Sequence, residues 1–340
     1  MPVLLGDGIR LYDALGGRPV RLARDTAEPF RTVDLRYRRA PASSGLTITG
    51  RQATLGETFG NRLTRRLSAA GHHVFRAVPM TTKEIHRVIT ELNHLAVVVS
   101  DLDETLDFYG RLFGARKVWG ASIGEPAKGV DIAYVQLAQG LVEFIASRPA
   151  GGMSPGLDHL GFHTDDLEGD YTRLTAAGYP SVLAPKASAS GVGHQALVRD
   201  ADGVLIELLQ RDFQKRDATL PHPHILAIDH ITHRSPDHDR SLLLYRDELG
   251  MSVSTHPPLT RLSIAPDAVE LIPLTGEESA GLMSIVLLVD DLDAMLAFVV
   301  EQGVSPHGPS PASGGRGRIA SIEDPDGIVI EFVDRSRALV

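Results

Sequence analysis

From Glu91 onward, hydrophobic and polar positions follow one layout that recurs four times, over Leu92–Gly114, Leu157–Gly178, Ile228–Gly250 and Leu282–Gly303. Each stretch opens with a short alternating run, passes an acidic turn and continues at helical spacing to a glycine. In the first, Leu95, Val97 and Val99 share one face of a predicted strand and His94, Ala96 and Val98 the other. Asp101-Leu102-Asp103-Glu104 supplies an N-cap with an acidic residue three positions later, and Leu102, Leu106, Tyr109 and Phe113 form the apolar stripe of a helix that stops at Gly114. The second repeats this with Asp165 to Glu168 as the cap, then Leu167, Tyr171, Leu174 and Gly178.

Every unit also closes alike, on a strand-like run with a glutamate flanked by aliphatics: Glu143, Glu207, Glu270 and Glu331. Two of these runs follow hairpin turns, Asp200-Ala201-Asp202-Gly203 and Asp324-Pro325-Asp326-Gly327. The pattern predicts a strand, a helix and three further strands per unit. Such a βαβββ unit cannot bury its sheet face alone, so adjacent units should pair into two α+β domains, residues 91–212 and 225–335. Residues 213–224, with Pro221-His222-Pro223-His224, read as the linker between them. Upstream, residues 1–39 alternate in strand fashion. Residues 40–90, rich in Arg, Ala, Gly, Ser and Thr, have weak periodicity and are expected to be a poorly ordered linker.

Composition narrows the chemistry. The 340 residues suit two or three domains, and an apolar share of 43% with 23% charged is ordinary for globular proteins. The absence of cysteine excludes disulfides, thiolate metal sites and a cysteine nucleophile. A net charge of −9 without a basic run argues against a nucleic-acid partner. No stretch approaches the roughly 20 apolar residues of a spanning helix, and the start MPVLLGDGIR lacks the apolar core of an export signal. A cytoplasmic protein with no membrane partner is the expectation.

The histidines carry the chemical signal. His94 and His159 hold the same place in Leu-Asn-His-Leu and Leu-Asp-His-Leu, and Glu143 and Glu207 follow them by 49 and 48 positions. Two units related by a pseudo-twofold axis would bring both histidines and both glutamates to one centre. Two imidazoles with one or two carboxylates suit a divalent metal, Zn, Ni, Co, Mn or Fe(II), with positions left for a substrate. A single histidine on a strand is more often a hydrogen-bonded core or surface residue; a glutamate inside an apolar strand needs a partner. The symmetric spacing of all four favours ligation.

At this point the chain resembles the vicinal oxygen chelate superfamily, which includes glyoxalase I, methylmalonyl-CoA epimerase, extradiol dioxygenases and bleomycin-resistance proteins. The resemblance rests on NHLAVVVSDLDETLDFY, LDHLGFHTDDLE, DADGVLIELLQRD and EDPDGIVIEFVDR, and it spans residues 91–335. It implies paired βαβββ modules forming a cupped eight-stranded sheet around a metal, in two tandem domains. It implies His94, Glu143, His159 and Glu207 as the ligands of the first domain. The matching positions of the second are His230, Glu270, Ser284 and Glu331, where Ser284 is a poor ligand; the second domain is therefore expected to be structural or substrate-gating, with His233 and His238 keeping a rearranged site open. His163 and His194 are further pocket candidates, with solvated or core roles favoured.

The function so implied is proton transfer on a small-molecule substrate with vicinal oxygens, by an isomerase or lyase in which Glu143 or Glu207 is the base. One alternative is an Fe(II) dioxygenase using His94, His159 and Glu207. Against it, Leu197 stands where extradiol enzymes usually place a tyrosine, and Ala201 where they have a proline. A second alternative is a bleomycin-resistance-type binding protein, although such proteins generally lack the metal residues. No residues specify a glutathione or CoA site. A homodimer is compatible with this family.

Residues 1–39 have a resemblance of their own. PVLLGDGIRLYDALGGRPVRL followed by VDLRYR is similar to the C-terminal end of the dihydrofolate-reductase-like domain of riboflavin-pathway reductases, with Gly6-Asp7-Gly8 at its glycine turn. Only the tail of such a domain is represented, so this region reads as a fused remnant, with Met80 as a possible alternative start.

Overall fold

A computed structural model describes residues 89–335, apart from 150–151, 212–215, 217, 265, 276–278 and 316, together with three short strands nearer the N-terminus. The chain divides into two compact units, Met1–His86 and Arg87–Val340. In the first unit, β1 (Leu11–Asp13), β2 (Leu46–Ile48) and β3 (Phe75–Ala77) form an antiparallel sheet in the order β1-β3-β2. β2 and β3 fall inside the stretch expected to be a poorly ordered linker, whereas the Gly6-Asp7-Gly8 turn, Met80 and the remainder of the reductase-like and linker readings before Ile89 lie outside the described residues.

The second unit is built as tandem pairs of βαβββ modules. The first module runs β4 (Ile89–Val99), α1 (Leu102–Phe113), β5 (Arg116–Glu125), β6 (Lys128–Leu137) and β7 (Gly140–Arg148). The next runs β8 (Gly156–Thr164), α2 (Leu167–Ala176), β9 (Ser181–Ala187), β10 (His194–Arg199) and β11 (Leu205–Gln210). Their strands make one eight-stranded sheet, β5-β6-β7-β4-β8-β11-β10-β9. β4 and β8 pair antiparallel at its middle, flanked by parallel β7 and β11. The second domain repeats this with β12 (Ile225–Ser235), α3 (His238–Leu242), β13 (Ser252–His256), β14 (Leu259–Ile264) and β15 (Asp267–Pro273). Its other module is β16 (Gly281–Val289), α4 (Leu292–Glu301), β17 (His307–Pro311), β18 (Arg318–Glu323) and β19 (Val329–Asp334), in a sheet ordered β13-β14-β15-β12-β16-β19-β18-β17. The α+β class and the paired modules are as the repeat predicts.

Local chemistry starts and stops the helices. Asp101, Asp166, Asp237 and Asp291 each stand before a helix with a side-chain oxygen accepting from first-turn N–H groups. The second cap is thus Asp166, one residue past the start of the acidic turn. Gly114 ends α1 in the left-handed region, at φ 63°. The buried face of α1 is Thr105, Phe108, Tyr109, Leu112 and Phe113. Leu102 and Leu106 are only partly buried at its border, so the stripe is rotated from the one the spacing predicts. In the third unit the helix departs from expectation: α3 is five residues long and passes into a π-helical turn, Leu243–Glu248.

Strand alternation sorts the side chains by face. Leu95, Val97 and Val99 join Tyr109, Phe113, Ile285, Leu287 and Phe332 in one buried cluster that spans both domains. Phe113 and Phe332 have ring centroids 6.3 Å apart, and the Tyr109 hydroxyl donates to Asp324 Oδ2 at 3.2 Å. With that face of β4 committed to the core, His94 and Ala96 project to the opposite, cupped side. Among the described residues no helix is long and apolar enough to cross a membrane.

Candidate metal centre

Two bulges aim the histidines. Along the β4–β8 pair the register skips Asn93 on one strand and Asp158 on the other. An extra residue bends a strand and re-aims its neighbours, so each histidine meets the residue before it. His94 Nδ1 is 3.2 Å from Asn93 Oδ1, and His159 Nδ1 is 2.7 Å from Asp158 Oδ2. Engaging Nδ1 as a donor leaves the Nε2 lone pair of each ring free to ligate.

Strand register then brings the glutamates in. Glu143 on β7 pairs with Ala96, which pairs with His159; Glu207 on β11 pairs with Gly161, which pairs with His94. Each histidine therefore faces the other module's glutamate across a small residue. At Gly161 the space is essential: a Cβ there would overlap the His94 imidazole.

The four side chains predicted from the repeat converge. His94 Nε2 lies 3.1 Å from Glu143 Oε2, 3.4 Å from Glu207 Oε2 and 3.3 Å from His159 Nε2. His159 Nε2 lies 3.6 Å from Glu143 Oε2 and 3.5 Å from Glu207 Oε2. Ligand bonds of about 2.0–2.2 Å set the edges of a tetrahedron at roughly 3.3–3.6 Å, so these spacings fit one divalent ion. All four residues are buried, and among the described residues Glu207 Oε2 makes no well-formed hydrogen bond beyond facing the two Nε2 atoms at 3.4 and 3.5 Å. A buried carboxylate oxygen without a donor is what a bound cation would satisfy.

Electrostatics agrees. Burial opposes ionisation of Glu143 and Glu207, but the His159 and His94 imidazoles that face them hold both carboxyls below the usual range. Burial likewise opposes a charge on His159, yet Asp158, Glu143 and Glu207 raise it well above the ordinary value. A proton on His159 offsets part of the charge of the two carboxylates, and a divalent cation would take its place and free the Nε2 lone pair.

Sequence patterning did not single out three neighbours of this centre. Asp158 orients His159, Tyr134 sits edge-on to His94 with centroids 5.2 Å apart, and the Arg211 guanidinium lies 5.3 Å over the Tyr134 ring. Arg211 also hydrogen-bonds Asn93 Oδ1. Burial, then the charges of Glu143 and Glu207, push the Tyr134 phenol well up, so it stays protonated. The repeat held a signal for two of them: Asp158 and Asp229 both precede a unit's histidine, and Arg211 and Arg335 both follow a closing strand. A cleft of about 210 Å³ opens onto Glu143, His159 and Glu207, bordered by Tyr134, Asp158 and Arg211 and walled by Ile123, Ile132, Leu197 and Leu209. His163 is outside it, held between Thr90 and the Arg211 carbonyl, and His194 is exposed.

The second domain keeps the frame and fills the centre. Thr232 stands in the place of Ala96, Val286 in that of Gly161 and Ser284 in that of His159. Ser284 donates to Glu331 Oε2 at 2.5 Å. Asp229, His230 and Glu270 remain together, but Arg261 Nη1 reaches Asp229 Oδ2 at 2.9 Å and Glu270 Oε1 at 3.2 Å, and Arg335 also pairs with both. Two guanidinium groups thus pair directly with the carboxylates there. His238 lies against Thr260, away from this group.

Comparison with known proteins bears on the fold. The model of a family described as the Glyoxalase/Bleomycin resistance protein/Dioxygenase superfamily matches residues 91–208 and again 227–332. Among solved structures, a Mn(II)-bound glyoxalase from Novosphingobium aromaticivorans is similar at 20% identity and a TM-score of 0.55, covering 73% of this chain and 83% of that one. The 2,3-dioxygenase LapB from Pseudomonas sp. KL28 is similar at 17% identity and 0.53, covering 72% and 92%. A catechol 2,3-dioxygenase gives 17% and 0.52, covering 74% and 89%. No curated protein matches the chain in sequence.

Proposed function

The chain belongs to the Glyoxalase/Bleomycin resistance protein/Dioxygenase superfamily, and from that premise we propose that its first domain is a metal-dependent isomerase or lyase acting on a small substrate with vicinal oxygens. One observation carries this reading: both modules contribute a histidine and a glutamate to a single buried point, giving two carboxylates where an Fe(II) facial triad needs one. His94, Glu143, His159 and Glu207 would hold the cation, which supplies a Lewis acid for negative charge developing on a substrate oxygen.

The remaining work falls to the chain's own groups. A carboxylate of Glu143 or Glu207 takes the proton from the carbon beside the substrate carbonyl and returns it to the neighbouring atom. The neutral Tyr134 phenol is available to donate a hydrogen bond to substrate oxygen, and the Arg211 guanidinium beside it favours an anionic substrate. Leu197, Leu209, Ile123 and Ile132 limit water at the cleft wall. Leu197 offers no hydroxyl to an oxygenase reaction.

The test is exchange in D2O, with α-hydroxy ketones, 2-oxo aldehydes and acyl thioesters as probes and dissolved oxygen followed in parallel. The expected result is metal-dependent deuterium incorporation without oxygen uptake, reduced about 10²–10⁴-fold in Glu143→Gln or Glu207→Gln. Turnover that consumes oxygen in step with substrate would establish the dioxygenase alternative instead.

A further inference from the structure

The two hairpin turns that precede the closing glutamate strands dock on opposite domains in equivalent ways, and they end differently. In the second domain's turn, Asp324 Oδ1 accepts from the N–H groups of Asp326 and Ile328, each at 2.9 Å. The outward oxygens are satisfied by the first domain: Tyr109 donates to Asp324 Oδ2 at 3.2 Å and the Ser100 N–H to Asp326 Oδ2 at 3.0 Å.

The first domain's turn repeats the inner part. Asp200 Oδ1 accepts from Asp202 N–H at 2.8 Å and Val204 N–H at 2.7 Å. Facing it, the second domain has Tyr245 where the first has Tyr109, Pro236 where the first has Ser100, and His233 where the first has Val97. Proline removes the backbone donor. The imidazole draws the tyrosine away, since the Tyr245 hydroxyl lies 3.0 Å from His233 Nδ1. Asp202 Oδ2 accepts from Ser241 Oγ at 2.6 Å.

Among the described residues, Asp200 Oδ2, Asp202 Oδ1 and His233 Nε2 are buried without a hydrogen-bond partner. His233 Nε2 lies 3.2 Å from Asp202 Oδ2 and 3.8 Å from Asp200 Oδ2, with the three side chains at 0%, 1% and 0% exposure. Such orphaned atoms are costly in a dry interior. One ligand atom from each of Asp200, Asp202 and His233 lies within 4.8 Å of the others, and the Tyr245 hydroxyl on Nδ1 fixes the ring with Nε2 turned toward both carboxylates.

We propose that Asp200, Asp202 and His233 form a second divalent-cation site, which clamps the first domain's hairpin turn to the second domain. One imidazole and two carboxylates suit a first-row cation such as Zn(II) or Mn(II). Bound there, it would satisfy Asp200 Oδ2 and His233 Nε2 and neutralise a carboxylate, Asp200, whose pKa burial pushes up. The site is separate from the His94 centre, shares no residue with it and stands on its own evidence.

The test is Zn(II) stoichiometry of the full chain, stripped with chelator, dialysed against Zn(II) and analysed for metal. The wild type should hold two equivalents and His233→Val, which restores the residue found at Val97, one. Asp202→Asn keeps the Ser241 contact, should also hold one, and serves if the valine variant does not fold. His159→Ala, whose cluster residues at the domain junction are intact, should retain one equivalent; none would overturn the second site. A His233→Val or Asp202→Asn protein that binds as much Zn(II) as the wild type would also overturn it. Two equivalents in His159→Ala would count against the first centre alone.

Discussion

At the residue scale, the centre depends on what stands beside the ligands as much as on the ligands. Asp158 fixes the His159 ring through a 2.7 Å contact to Nδ1. Loss of such an orienting partner typically weakens metal affinity about 10–100-fold, so Asp158→Ala should raise the dissociation constant for Mn(II) by that factor in a competition titration. Unchanged affinity would mean the ring is held by packing alone. Gly161→Ala should be at least as damaging, because its Cβ would occupy the space of the His94 imidazole. Ala96→Gly, which only removes volume at the matching position, serves as the control. The four positions that converge were legible in the sequence because the repeat exposes them: one place in each motif, and one glutamate in each closing strand. The bulges at Asn93 and Asp158 were not legible, since they are features of pairing between β4 and β8 and leave no mark on either strand's own pattern.

At the scale of elements, all four helix starts were visible as acidic turns, and the structure places an aspartate cap at each. Asp101 receives N–H groups from Asp103 and Glu104 at 2.9 and 3.0 Å. Asp101→Ala should cost about 1 kcal/mol and lower the melting temperature by roughly 2–4 °C, with metal stoichiometry unaffected; a change in metal content would mean α1 also positions β4. The helix in the third unit was less legible. Its spacing to Gly250 matches the first unit's spacing to Gly114, yet it winds as a short α-helix followed by a π-helical turn. The apolar pattern of α1 was read one step round from its true face, because Phe108 and Leu112 pack into a core shared with the other domain.

At the scale of the whole molecule, the two domains have one architecture and divergent centres. The sequence indicated the loss through Ser284. It did not reveal that Arg261 and Arg335 pair with the second centre's carboxylates, because side chains from separate strands meet there only through the folded sheet. The domains are also tied by Arg216, which donates to the Leu92 carbonyl at 3.1 Å and pairs with Glu91 and Asp267, each at 3.1 Å. Burial raises the Asp267 carboxyl, against the pull of Arg216, to about 6 from an ordinary 3.8. The folded chain thus holds this proton more tightly than the unfolded one. Its contribution to stability is complete below pH 3.8 and is lost as pH rises through about 6. Urea unfolding between pH 4 and pH 7 should show Asp267→Asn losing less stability than the wild type across that window; parallel curves would remove Asp267 as the source. The central claim remains that His94, Glu143, His159 and Glu207 share one divalent ion, and it is tested most directly by metal content. Dialysed against Mn(II) and analysed side by side, His159→Ala should hold one equivalent less than the wild type, whereas a variant that keeps the full wild-type stoichiometry would contradict the account.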